Sequence, residues 1–330
     1  MIATSQQRVL VTGGAGYIGS VLVGELLAAG YAVRVLDILR FGGQGMLCHL
    51  GRENFEFIHA DLCRERELDR ALSGVHHVVH LAAIVGDPAC AADPATAKSV
   101  NRDAAQTLLG KALENGIERF VFASTCSNYG KMPDPNGYVN EDSELRPVSL
   151  YAELKVEFEK TLLEFSYPNF VPIVLRFATA YGLSPRPRFD LTVNEFTREL
   201  CLGRSLDIYG KQFWRPYAHV ADISRACVMA IKAPRETVAG EAFNIGDTHE
   251  NYQKDTLVKM ILEQLPGAME LVSYVEKDED PRDYRVRFDK AKDRLGYQGL
   301  RRVVDGIRET IFAIRSGMIA NPDNKLYRNC

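Results

Sequence analysis

A run of glycines near the N-terminus restricts the fold of this chain more than any other feature. The run is Thr12-Gly-Gly-Ala-Gly-Tyr-Ile-Gly19, and apolar residues with helical spacing follow it over residues 17–29. Gly13 allows a tight turn, Gly16 allows a phosphate to approach the backbone, and Gly19 allows the helix to pack closely on the preceding strand. Because the N–H groups of a helix N-terminus also attract phosphate, the pattern predicts a phosphate-binding turn between a strand and a helix.

Strands and helices are predicted to alternate through the first half of the chain. Short apolar runs predict strands over residues 8–12, 32–36, 55–59, 75–81, 119–123 and 171–176. Helical spacing predicts helices over residues 65–72, 96–115 and 150–165. Nearly continuous apolar strands joined by helices are typical of a parallel sheet that is covered on both faces. We therefore predict an α/β fold of the doubly wound Rossmann type, whose ligands bind beyond the carboxyl ends of the strands.

The pattern changes after residue 177, where mixed elements replace the regular alternation. Helices are predicted over residues 191–202, 221–231, 255–265 and 302–315. We predict a dinucleotide-binding Rossmann domain over residues 1–177 and a smaller, mixed α/β substrate-binding domain over residues 178–330. Residues 241–245 are strand-like, so part of the segment 217–246 is expected to return to the first sheet.

Charge and apolar content argue against several classes of partner. The 330 residues carry 40 basic and 43 acidic side chains, a balance that argues against a general nucleic-acid binder or a polybasic membrane protein. No apolar run approaches the ~20 residues that cross a bilayer, and the N-terminus has no export signal. We therefore expect a cytoplasmic protein with no membrane or nucleic-acid partner.

The cysteines and histidines do not suggest a disulfide framework or a metal site. The seven cysteines are scattered singly and contain no Cys-x-x-Cys pair, as in proteins of a reducing compartment. His76, His77 and His80 are close in sequence, but His77 and His80 lie on a predicted strand with their side chains on opposite faces. We predict no metal site.

An acidic residue ends the second predicted strand and bears on the identity of the dinucleotide. Asp37 stands eighteen positions after Gly19. A carboxylate there accepts hydrogen bonds from the ribose hydroxyls of NAD and repels the 2′-phosphate of NADP. We predict NAD as the cofactor, and Arg40 leaves NADP as the alternative.

Other strand ends supply further candidate cofactor contacts. Asp61 follows the third strand, and its carboxylate either accepts from the adenine amino group or caps the following helix. Small side chains after the fourth strand either let the cofactor lie close to the backbone or only pack the end of the strand. The predicted cofactor contacts before the catalytic residues are Gly13, Gly16, Tyr17, Ile18, Gly19, Asp37, Asp61, Leu62, Leu81, Ala82 and Ala83.

Tyr151 and Lys155 form a candidate catalytic pair. Their spacing of four residues on the predicted helix 150–165 places them on one helical face. A phenol with a pKa of ~10 is a poor base at neutral pH, but a neighbouring ammonium and an oxidised nicotinamide favour the phenolate. Tyr151 then becomes a general base or acid for a sugar hydroxyl. By itself, the spacing is also typical of an amphipathic surface helix.

The glycine turn, the acidic strand end, the Tyr151/Lys155 pair and the second domain together resemble the extended short-chain dehydrogenase/reductase family, the NAD-dependent epimerases and dehydratases of nucleotide sugars. The resemblance extends over residues 9 to about 315. It implies that Thr125, five residues before Gly130, completes a catalytic triad and hydrogen-bonds the reacting hydroxyl or carbonyl. It also implies that Lys155 holds the nicotinamide ribose and contacts the cofactor together with Tyr151.

The turn after the fifth strand bears on the reaction. Family members that remove water across C5 and C6 generally carry acidic residues just after this threonine, where this chain has Cys126 and Ser127. Without a carboxylic acid to protonate the leaving hydroxyl, 4,6-dehydration loses its general acid. Cys126 either takes an acid–base role or packs as a small apolar residue, and both residues are candidate substrate contacts. Asn101 either supports the cofactor site, as in the family, or is a polar residue flanking a helix.

The resemblance also implies contacts to a substrate. Thr179 stands where the family has an Asn that contacts the sugar nucleotide, and Asn194 is a further candidate for its diphosphate. Arg215 and Arg282 match two arginines that pair with the diphosphate, for which the guanidinium fork is suited. The alternative for both arginines is a surface or interdomain ion pair.

A proline- and arginine-containing segment, Ser184-Pro-Arg-Pro-Arg-Phe-Asp190, resembles a subgroup that includes enzymes acting at C4 of GDP-activated heptoses. Arg186 and Arg188 either contact the sugar or its phosphates or belong to a solvated loop stiffened by proline. His219 and Asp222 are interpreted as structural.

The residues and the resemblance together predict a nucleotide-sugar epimerase that acts at C4 through a transient 4-keto sugar and recycles its NAD. Net oxidation or reduction at C4 is the alternative, and 4,6-dehydration ranks below it. A non-catalytic dinucleotide sensor is disfavoured because such proteins usually lack the Tyr/Lys pair. The expected partner is a nucleotide-diphosphate sugar, and the family implies a homodimer formed through the helices at 96–115 and 150–166.

Overall fold

A seven-stranded parallel sheet organises the computed structural model, which describes residues 6–329 apart from positions 133, 135, 166, 168 and 277–281. The strands are β1 (Arg8–Thr12), β2 (Ala32–Asp37), β3 (Phe55–His59), β4 (His77–His80), β5 (Arg119–Thr125), β6 (Val171–Phe177), β7 (Thr179–Tyr181), β8 (Leu206–Tyr209), β9 (Trp214–His219), β10 (Glu241–Ile245), β11 (Asn251–Gln253) and β12 (Val272–Val275). The helices are α1 (Gly19–Ala28), α2 (Glu65–Leu72), α3 (Asp87–Ala92), α4 (Pro94–Lys98), α5 (Ala105–Glu114), α6 (Leu150–Glu164), α7 (Thr192–Cys201), α8 (Val220–Lys232), α9 (Arg235–Val238), α10 (Lys254–Gln264), α11 (Asp289–Leu295) and α12 (Val303–Arg315). Within the described ranges, no helix is both long and apolar enough to cross a membrane.

The main sheet has the strand order β10-β6-β5-β4-β1-β2-β3, and all its neighbours are parallel. Side chains of α1 and α8 form an apolar core on one face, and those of α2, α5 and α6 form a core on the other. The central strand β1 contributes to both cores, with Val9, Leu10 and Val11 fully buried. Burial on both faces explains the nearly continuous apolar strands and confirms the predicted doubly wound α/β fold.

The chain after β6 contributes to two parts of the structure. Helix α8 lies against the main sheet, and β10 pairs with β6 at its edge. The other late strands form a three-stranded sheet, β11-β9-β7, and a pair, β12-β8. They pack with α7, α10 and α12 around a third core. The segment 217–246 therefore supplies a strand to the first sheet, while a domain boundary at residue 177 stays a prediction.

Two predicted helices differ from those observed because local contacts override helical spacing. Helix α1 begins at Gly19 rather than at residue 17, and the hydroxyl of Tyr17 donates to the carbonyl of Gly182 at 2.6 Å. The predicted helix 96–115 is divided into α4, a π-helical turn over Ser99–Ala104, and α5. Such turns often mark functional sites, and this one carries a predicted cofactor residue, Asn101.

The short elements were not predicted. Helices α3, α9 and α11 and strands β7, β8, β9, β11 and β12 are absent from the sequence prediction. Most of these elements are too short to show a repeating pattern of apolar side chains. Strand β8 pairs with β12, which lies beyond α10 in the chain, so its existence depends on a distant partner.

Candidate active site

A cavity of about 390 Å³ lies beyond the carboxyl ends of the parallel strands. Its lining includes every predicted cofactor contact except Asn101, namely Gly13, Gly16, Tyr17, Ile18, Gly19, Asp37, Asp61, Leu62, Leu81, Ala82, Ala83, Tyr151 and Lys155. Arg186, Arg188 and Asn329 from the late chain also line it. Residues that are far apart in sequence thus meet around one cavity, at the place where doubly wound sheets bind ligands.

The glycine turn at the cavity leaves no room for larger side chains. Gly13 has a φ of +74°, in the left-handed region, and a Cβ there would lie 2.7 Å from the backbone nitrogen of Ala82. A Cβ at Gly19 would collide with the carbonyl oxygen of Gly13. The turn, the start of α1 and the end of β4 are therefore in close contact. This arrangement presents the N-terminus of α1 to the cavity and fits a dinucleotide phosphate.

The carboxylate of Asp37 is fixed between the glycine turn and the loop after β2. Its Oδ2 accepts from the Ala15 N–H at 3.0 Å, and its Oδ1 accepts from the Leu39 N–H at 2.7 Å. Burial raises the pKa of Asp37, and the two N–H groups oppose that shift. Because each oxygen has a second lone pair, the carboxylate can still accept hydrogen bonds from a ribose in the cavity.

Asp61 and Asn101 have clear structural partners. Asp61 does not cap α2, because its Oδ1 instead accepts from the N–H of Cys63 at 2.9 Å in the turn before that helix. Asn101 exchanges two hydrogen bonds with the backbone of Ile84, at 2.8 and 2.9 Å. Ile84 itself lines the cavity, so Asn101 supports the wall from behind. A contact between Asp61 and adenine stays a prediction.

Tyr151 and Lys155 line the cavity from the first two turns of α6, whose N-cap is Ser149. The Nζ of Lys155 donates to the carbonyl of Ala123 at 2.7 Å and lies 5.8 Å from the centroid of the Tyr151 ring. Burial lowers the pKa of Lys155 to about 8. The lysine is therefore held in place by a strand end and is mostly protonated at neutral pH.

The surroundings of Tyr151 in the protein alone do not favour its phenolate, and the combined effect of Lys155 and an oxidised nicotinamide stays a prediction. Burial raises the pKa of Tyr151; Cys90 and Asp87 add to the shift, and Arg188 opposes it. The cost of placing a negative charge in a buried site outweighs the attraction of the neighbouring cations. A net lowering of this pKa requires a further positive charge in the cavity.

The turn after β5 supplies a hydroxyl and a buried thiol. Thr125 ends β5, and its Oγ1 accepts from the N–H of Ser127 at 3.1 Å. The Sγ of Cys126 donates to the carbonyl of Arg176 at 3.3 Å, and burial raises the pKa of this thiol well above its ordinary value. The Ser127 hydroxyl lies 3.3 Å from that of Tyr284. Cys126 is therefore a packed residue, which favours that alternative over an acid–base role.

Arg215 and Arg282 approach the same buried tyrosine. The guanidinium carbon of Arg215 lies 5.5 Å from the centroid of the Tyr284 ring. Burial raises the pKa of Tyr284, and both arginines oppose that shift. Because Tyr284 contacts Ser127, the two predicted diphosphate arginines lie on the side of the site where the turn after β5 ends. Their contacts with a substrate stay predictions.

Sequence reasoning missed Asp87, at the start of α3. Its Oδ1 accepts from the hydroxyl of Ser149, the N-cap of α6, at 2.7 Å, and its Oδ2 accepts from Arg282, also at 2.7 Å. Asp87 thus connects the helix that carries the candidate catalytic pair with a predicted diphosphate arginine. The run Gly-Asp-Pro at 86–88 is a helix-start signal that could have drawn attention to it.

A buried polar network beneath the turn after β5 was also missed. Glu159, one helical turn beyond Lys155, forms an ion pair with Arg176 at 2.8 Å. It also accepts from Asn128 at 2.7 Å and from the hydroxyl of Ser124. The negative charge of Glu159 raises the pKa of Lys155 and so opposes the larger effect of burial. The spacing of four residues from Lys155 was the available signal.

The remaining predicted substrate contacts, Asn194 and Thr179, belong to the late chain. The amide of Asn194 is buried and bonds the backbone of Gly182 at 2.9 and 3.0 Å and the carbonyl of Arg188 at 2.9 Å. It therefore holds two loops together. Thr179 is half-buried at the start of β7. Contacts of either residue with a substrate stay predictions.

His219 and Asp222 hold other parts of the late chain together. The Nε2 of His219 lies 2.9 Å from a carboxylate oxygen of Glu309. The Oδ2 of Asp222 accepts from the N–H groups of Leu300 and Arg301, each at 3.0 Å. These contacts agree with the structural interpretation of both residues.

Residues 184–190 are not a solvated loop. Arg186 is only 5% exposed, and its guanidinium carbon lies 4.0 Å from the centroid of the Phe41 ring. Arg188 forms two hydrogen bonds with Asp190, at 2.9 and 2.7 Å. Because both arginines line the cavity at the glycine turn, the structure argues against the alternative of a solvated loop.

Comparison with known proteins shows the family to which the chain belongs. The model of the NAD dependent epimerase/dehydratase family matches residues 9–246. The chain is 30% identical to the uncharacterized UDP-glucose epimerase YtcB of Bacillus subtilis, over 94% of this chain and 98% of that protein. It is 29% identical to the dTDP-glucose 4,6-dehydratase of Streptomyces niveus, over 92% of this chain and 91% of that protein.

Solved structures give the same family. The UDP-glucose 4-epimerase of Thermotoga maritima, solved with UDP-glucose, superimposes with a TM-score of 0.83 at 29% identity, over 94% of this chain and 100% of the other. DesIV of Streptomyces venezuelae, a dTDP-glucose 4,6-dehydratase solved with NAD, gives a TM-score of 0.84 at 28% identity, over 96% and 99%. The protein therefore belongs to the NAD-dependent epimerase/dehydratase family within the extended short-chain dehydrogenases/reductases, as an enzyme of the nucleotide-sugar epimerase/dehydratase type whose cofactor is NAD.

Proposed function

We propose that this enzyme is a nucleotide-sugar epimerase that inverts C4 through a transient 4-keto sugar. One observation carries the proposal: Tyr151 and Lys155 line the same cavity as the glycine turn, whereas the turn after β5 supplies Cys126 and Ser127 in place of a carboxyl group. Epimerisation at C4 needs one acid–base group beside the cofactor, but 4,6-dehydration also needs an acid for the leaving hydroxyl. The residues present meet the first requirement.

Tyr151 is proposed to take the proton of the C4 hydroxyl and to return it after the ketone has presented its other face. The hydroxyl of Thr125 donates a hydrogen bond to the same sugar oxygen. Lys155, held by the carbonyl of Ala123 at 2.7 Å, holds the nicotinamide ribose. NAD, when bound, supplies a positive ring that favours the phenolate and takes and returns the C4 hydride. Because the hydride returns to the sugar, a complete turnover leaves the cofactor unchanged.

The diphosphate of the substrate is proposed to bind Arg215 and Arg282. A guanidinium pairs well with phosphate oxygens, and two such groups from separate segments give an anchor at one end of the ligand. A ketone anchored only through its diphosphate can rotate its ring within the cavity. That rotation is the step that an epimerase requires and a simple dehydrogenase does not.

A substrate panel tests the proposal. The purified enzyme is incubated with UDP-, dTDP- and GDP-hexoses and GDP-heptoses, and the products are separated by chromatography and assigned by NMR. We expect one nucleotide class to give the C4 epimer with no net reduction of added NAD. Stoichiometric reduction of NAD, or oxidation of added NADH, would show a C4 oxidoreductase instead. A 4-keto-6-deoxy product would show a dehydratase.

A further inference from the structure

The segment 184–190, which we call the strap, borders the NAD cavity beside the glycine turn. Arg186 and Arg188 line the cavity together with residues of that turn. Pro185 lies beside Gly45, in the segment after β2, and Gly45 in turn lies beside Ser20 of α1: a Cβ added at Gly45 would lie 3.0 Å from Pro185 Cβ and 3.0 Å from Ser20 Cβ. The strap therefore lies next to the part of the fold that binds the dinucleotide phosphates.

Residues 325–329, which we call the tail, hold the strap in this position. The N–H of Phe189 donates to the carbonyl of Tyr327 at 2.8 Å, and the two rings pack edge to face at 6.0 Å. The N–H of Asn329 donates to the carboxylate of Asp190 at 3.0 Å. A guanidinium N–H of Arg186 donates to the carbonyl of Arg328 at 3.2 Å. Strap and tail form one wall of the cavity.

Arg186 is a buried cation without an ion pair among the described residues. The only hydrogen bond of its guanidinium among the described residues goes to the Arg328 carbonyl, and its Nε is buried with no partner there. Two carboxylates act on its charge from nearby, Asp190 and Asp37. Asp190 is bonded to Arg188, and the oxygens of Asp37 accept backbone N–H groups. A buried charge that lacks a partner is costly, so this position is built for an anion that arrives from the cavity.

Asn329 adds an unpaired acceptor to the same wall. Its Oδ1 is buried and has no hydrogen-bond partner in the described part of the chain. Arg186 and Asn329 thus both line the cavity, and each has one buried polar atom, a guanidinium donor and an amide acceptor, that has no partner among the described residues. A phosphate suits the donor, and a hydroxyl or amino group suits the acceptor. The adenosine-diphosphate half of NAD carries all of these groups.

We propose that Arg186 binds the diphosphate of NAD and that Asn329 accepts a hydrogen bond from the adenosine portion, so that strap and tail close the cofactor site. The bound cofactor would then be held between the glycine turn of the first domain and a wall supplied by the late chain. Release of NAD would require the strap to separate from the turn. This inference rests on the family's cofactor and not on the choice between epimerase and C4 oxidoreductase.

Equilibrium binding to protein freed of NAD tests the role of Arg186. Arg186→Met keeps an apolar stem on the Phe41 ring and removes the charge. We expect NAD and ADP-ribose to bind about 10- to 100-fold more weakly, as for the loss of a charge-assisted hydrogen bond, and adenosine to bind within about twofold of the wild type. Arg186→Lys should recover part of the loss. NAD affinity within twofold of the wild type, or an equal loss for adenosine, would overturn the proposal.

Two further experiments distinguish binding of the diphosphate from a general loss of stability and from binding of the 2′-phosphate of NADP. Arg34→Met removes another buried guanidinium, one that does not line the cavity, and NAD affinity is expected to stay within about twofold. An equal loss in this control would assign the effect of Arg186→Met to folding. NADP is tested in parallel. If Arg186→Met weakens NADP but not NAD, the guanidinium reads a 2′-phosphate, and the diphosphate assignment is wrong.

The tail is tested by the rate of NAD release. Tyr327→Ala removes the ring contact with Phe189 while leaving every residue that lines the cavity unchanged. We expect bound NAD to dissociate about three- to tenfold faster, in line with the worth of an aromatic pair. An unchanged release rate, in a variant whose thermal unfolding shows a folded protein, would show that the tail does not close the site.

Discussion

The proposed chemistry depends more on the hydroxyl of Tyr151 than on any other group in the protein. Burial raises its pKa, so the protein alone does not make this phenol a good base at neutral pH. The Nζ of Lys155 lies 5.8 Å from the centroid of the Tyr151 ring and donates a hydrogen bond to the carbonyl of Ala123. The catalytic phenolate is thus coupled to cofactor binding. Such coupling would keep the site unreactive until NAD is in place.

Replacing Tyr151 with Phe should abolish turnover while leaving the cofactor site intact. The change removes the acid–base hydroxyl alone, and we expect the rate of epimerisation to fall by about 10²- to 10⁴-fold. Initial rates with the sugar identified by the panel measure this. Bound NAD and the thermal midpoint should match the wild type. A fully active Tyr151→Phe enzyme would remove the phenol from the mechanism.

The burial of Lys155 should make the protein more stable as the pH rises above neutrality. Its pKa is about 8 in the folded protein against an ordinary 10.5, so between these values the unfolded state binds more protons. Wild-type stability therefore rises with pH in that window. The free energy of unfolding of the wild type should rise by about 1 kcal/mol relative to Lys155→Met between pH 7 and pH 9.

Urea denaturation at a series of pH values gives this difference directly. Lys160→Met, on the exposed side of the same helix, serves as the matched control and should show no such trend relative to the wild type. A difference between wild type and Lys155→Met that stays constant across the range would mean that the lysine is not desolvated as the structure indicates.

The sequence was informative about single residues wherever their role depends on nearby positions. The four-residue spacing of Tyr151 and Lys155 predicted that both lie on one helical face, and both residues line one cavity. Asp87 was missed because its partners, Ser149 and Arg282, lie far away in the chain. The burial of Tyr151, which raises its pKa, was not predicted because burial depends on the tertiary packing around a residue, which spacing does not report.

Helix α6 connects the candidate catalytic pair to the interior of the sheet. Its N-cap, Ser149, bonds Asp87, its first turns carry the candidate pair, and Glu159 pairs with Arg176 of β6. Both members of this ion pair are buried, so each charge relies on the other. The network also reaches Ser124, near the end of β5. It therefore fixes α6 relative to the strands whose ends form the site.

Glu159→Gln should destabilise the whole protein. The substitution keeps the shape of the side chain but leaves the guanidinium of Arg176 buried without a carboxylate, which we expect to cost about 3–5 kcal/mol. Chemical denaturation measures the loss. Glu157→Gln, on an exposed position of the same helix, should change stability by less than about 0.5 kcal/mol. Equal stability of Glu159→Gln and the control would show that the pair is not a structural requirement.

Long, regular elements were predicted well and short ones were not. Strands β1, β5 and β6 are long apolar runs that need no knowledge of their neighbours, because both faces are buried. The apolar spacing predicted one helix over residues 96–115, but the π-helical turn Ser99–Ala104 interrupts it. The short strands of the late chain exist only because distant segments pair with them. Local patterns cannot report either effect.

At the scale of the whole molecule, the cavity beyond the strand ends is lined by residues from both halves of the chain. Tyr17 of the glycine turn bonds Gly182, and the strap and tail complete the cavity wall. The predicted homodimer stays a prediction. In the described part of the chain, α5 and α6 expose no large hydrophobic side chain, so pairing through these helices would depend on polar contacts.

The fate of the C4 hydrogen tests the central claim most directly. The substrate found in the panel is prepared with deuterium at C4 and incubated with the enzyme in the presence of added NAD, and the epimer is analysed by mass spectrometry and NMR. The proposed mechanism predicts that the epimer keeps its deuterium at C4, since the hydride returns to the sugar that supplied it. An epimer that has lost the label, or deuterium in the added cofactor, would contradict it.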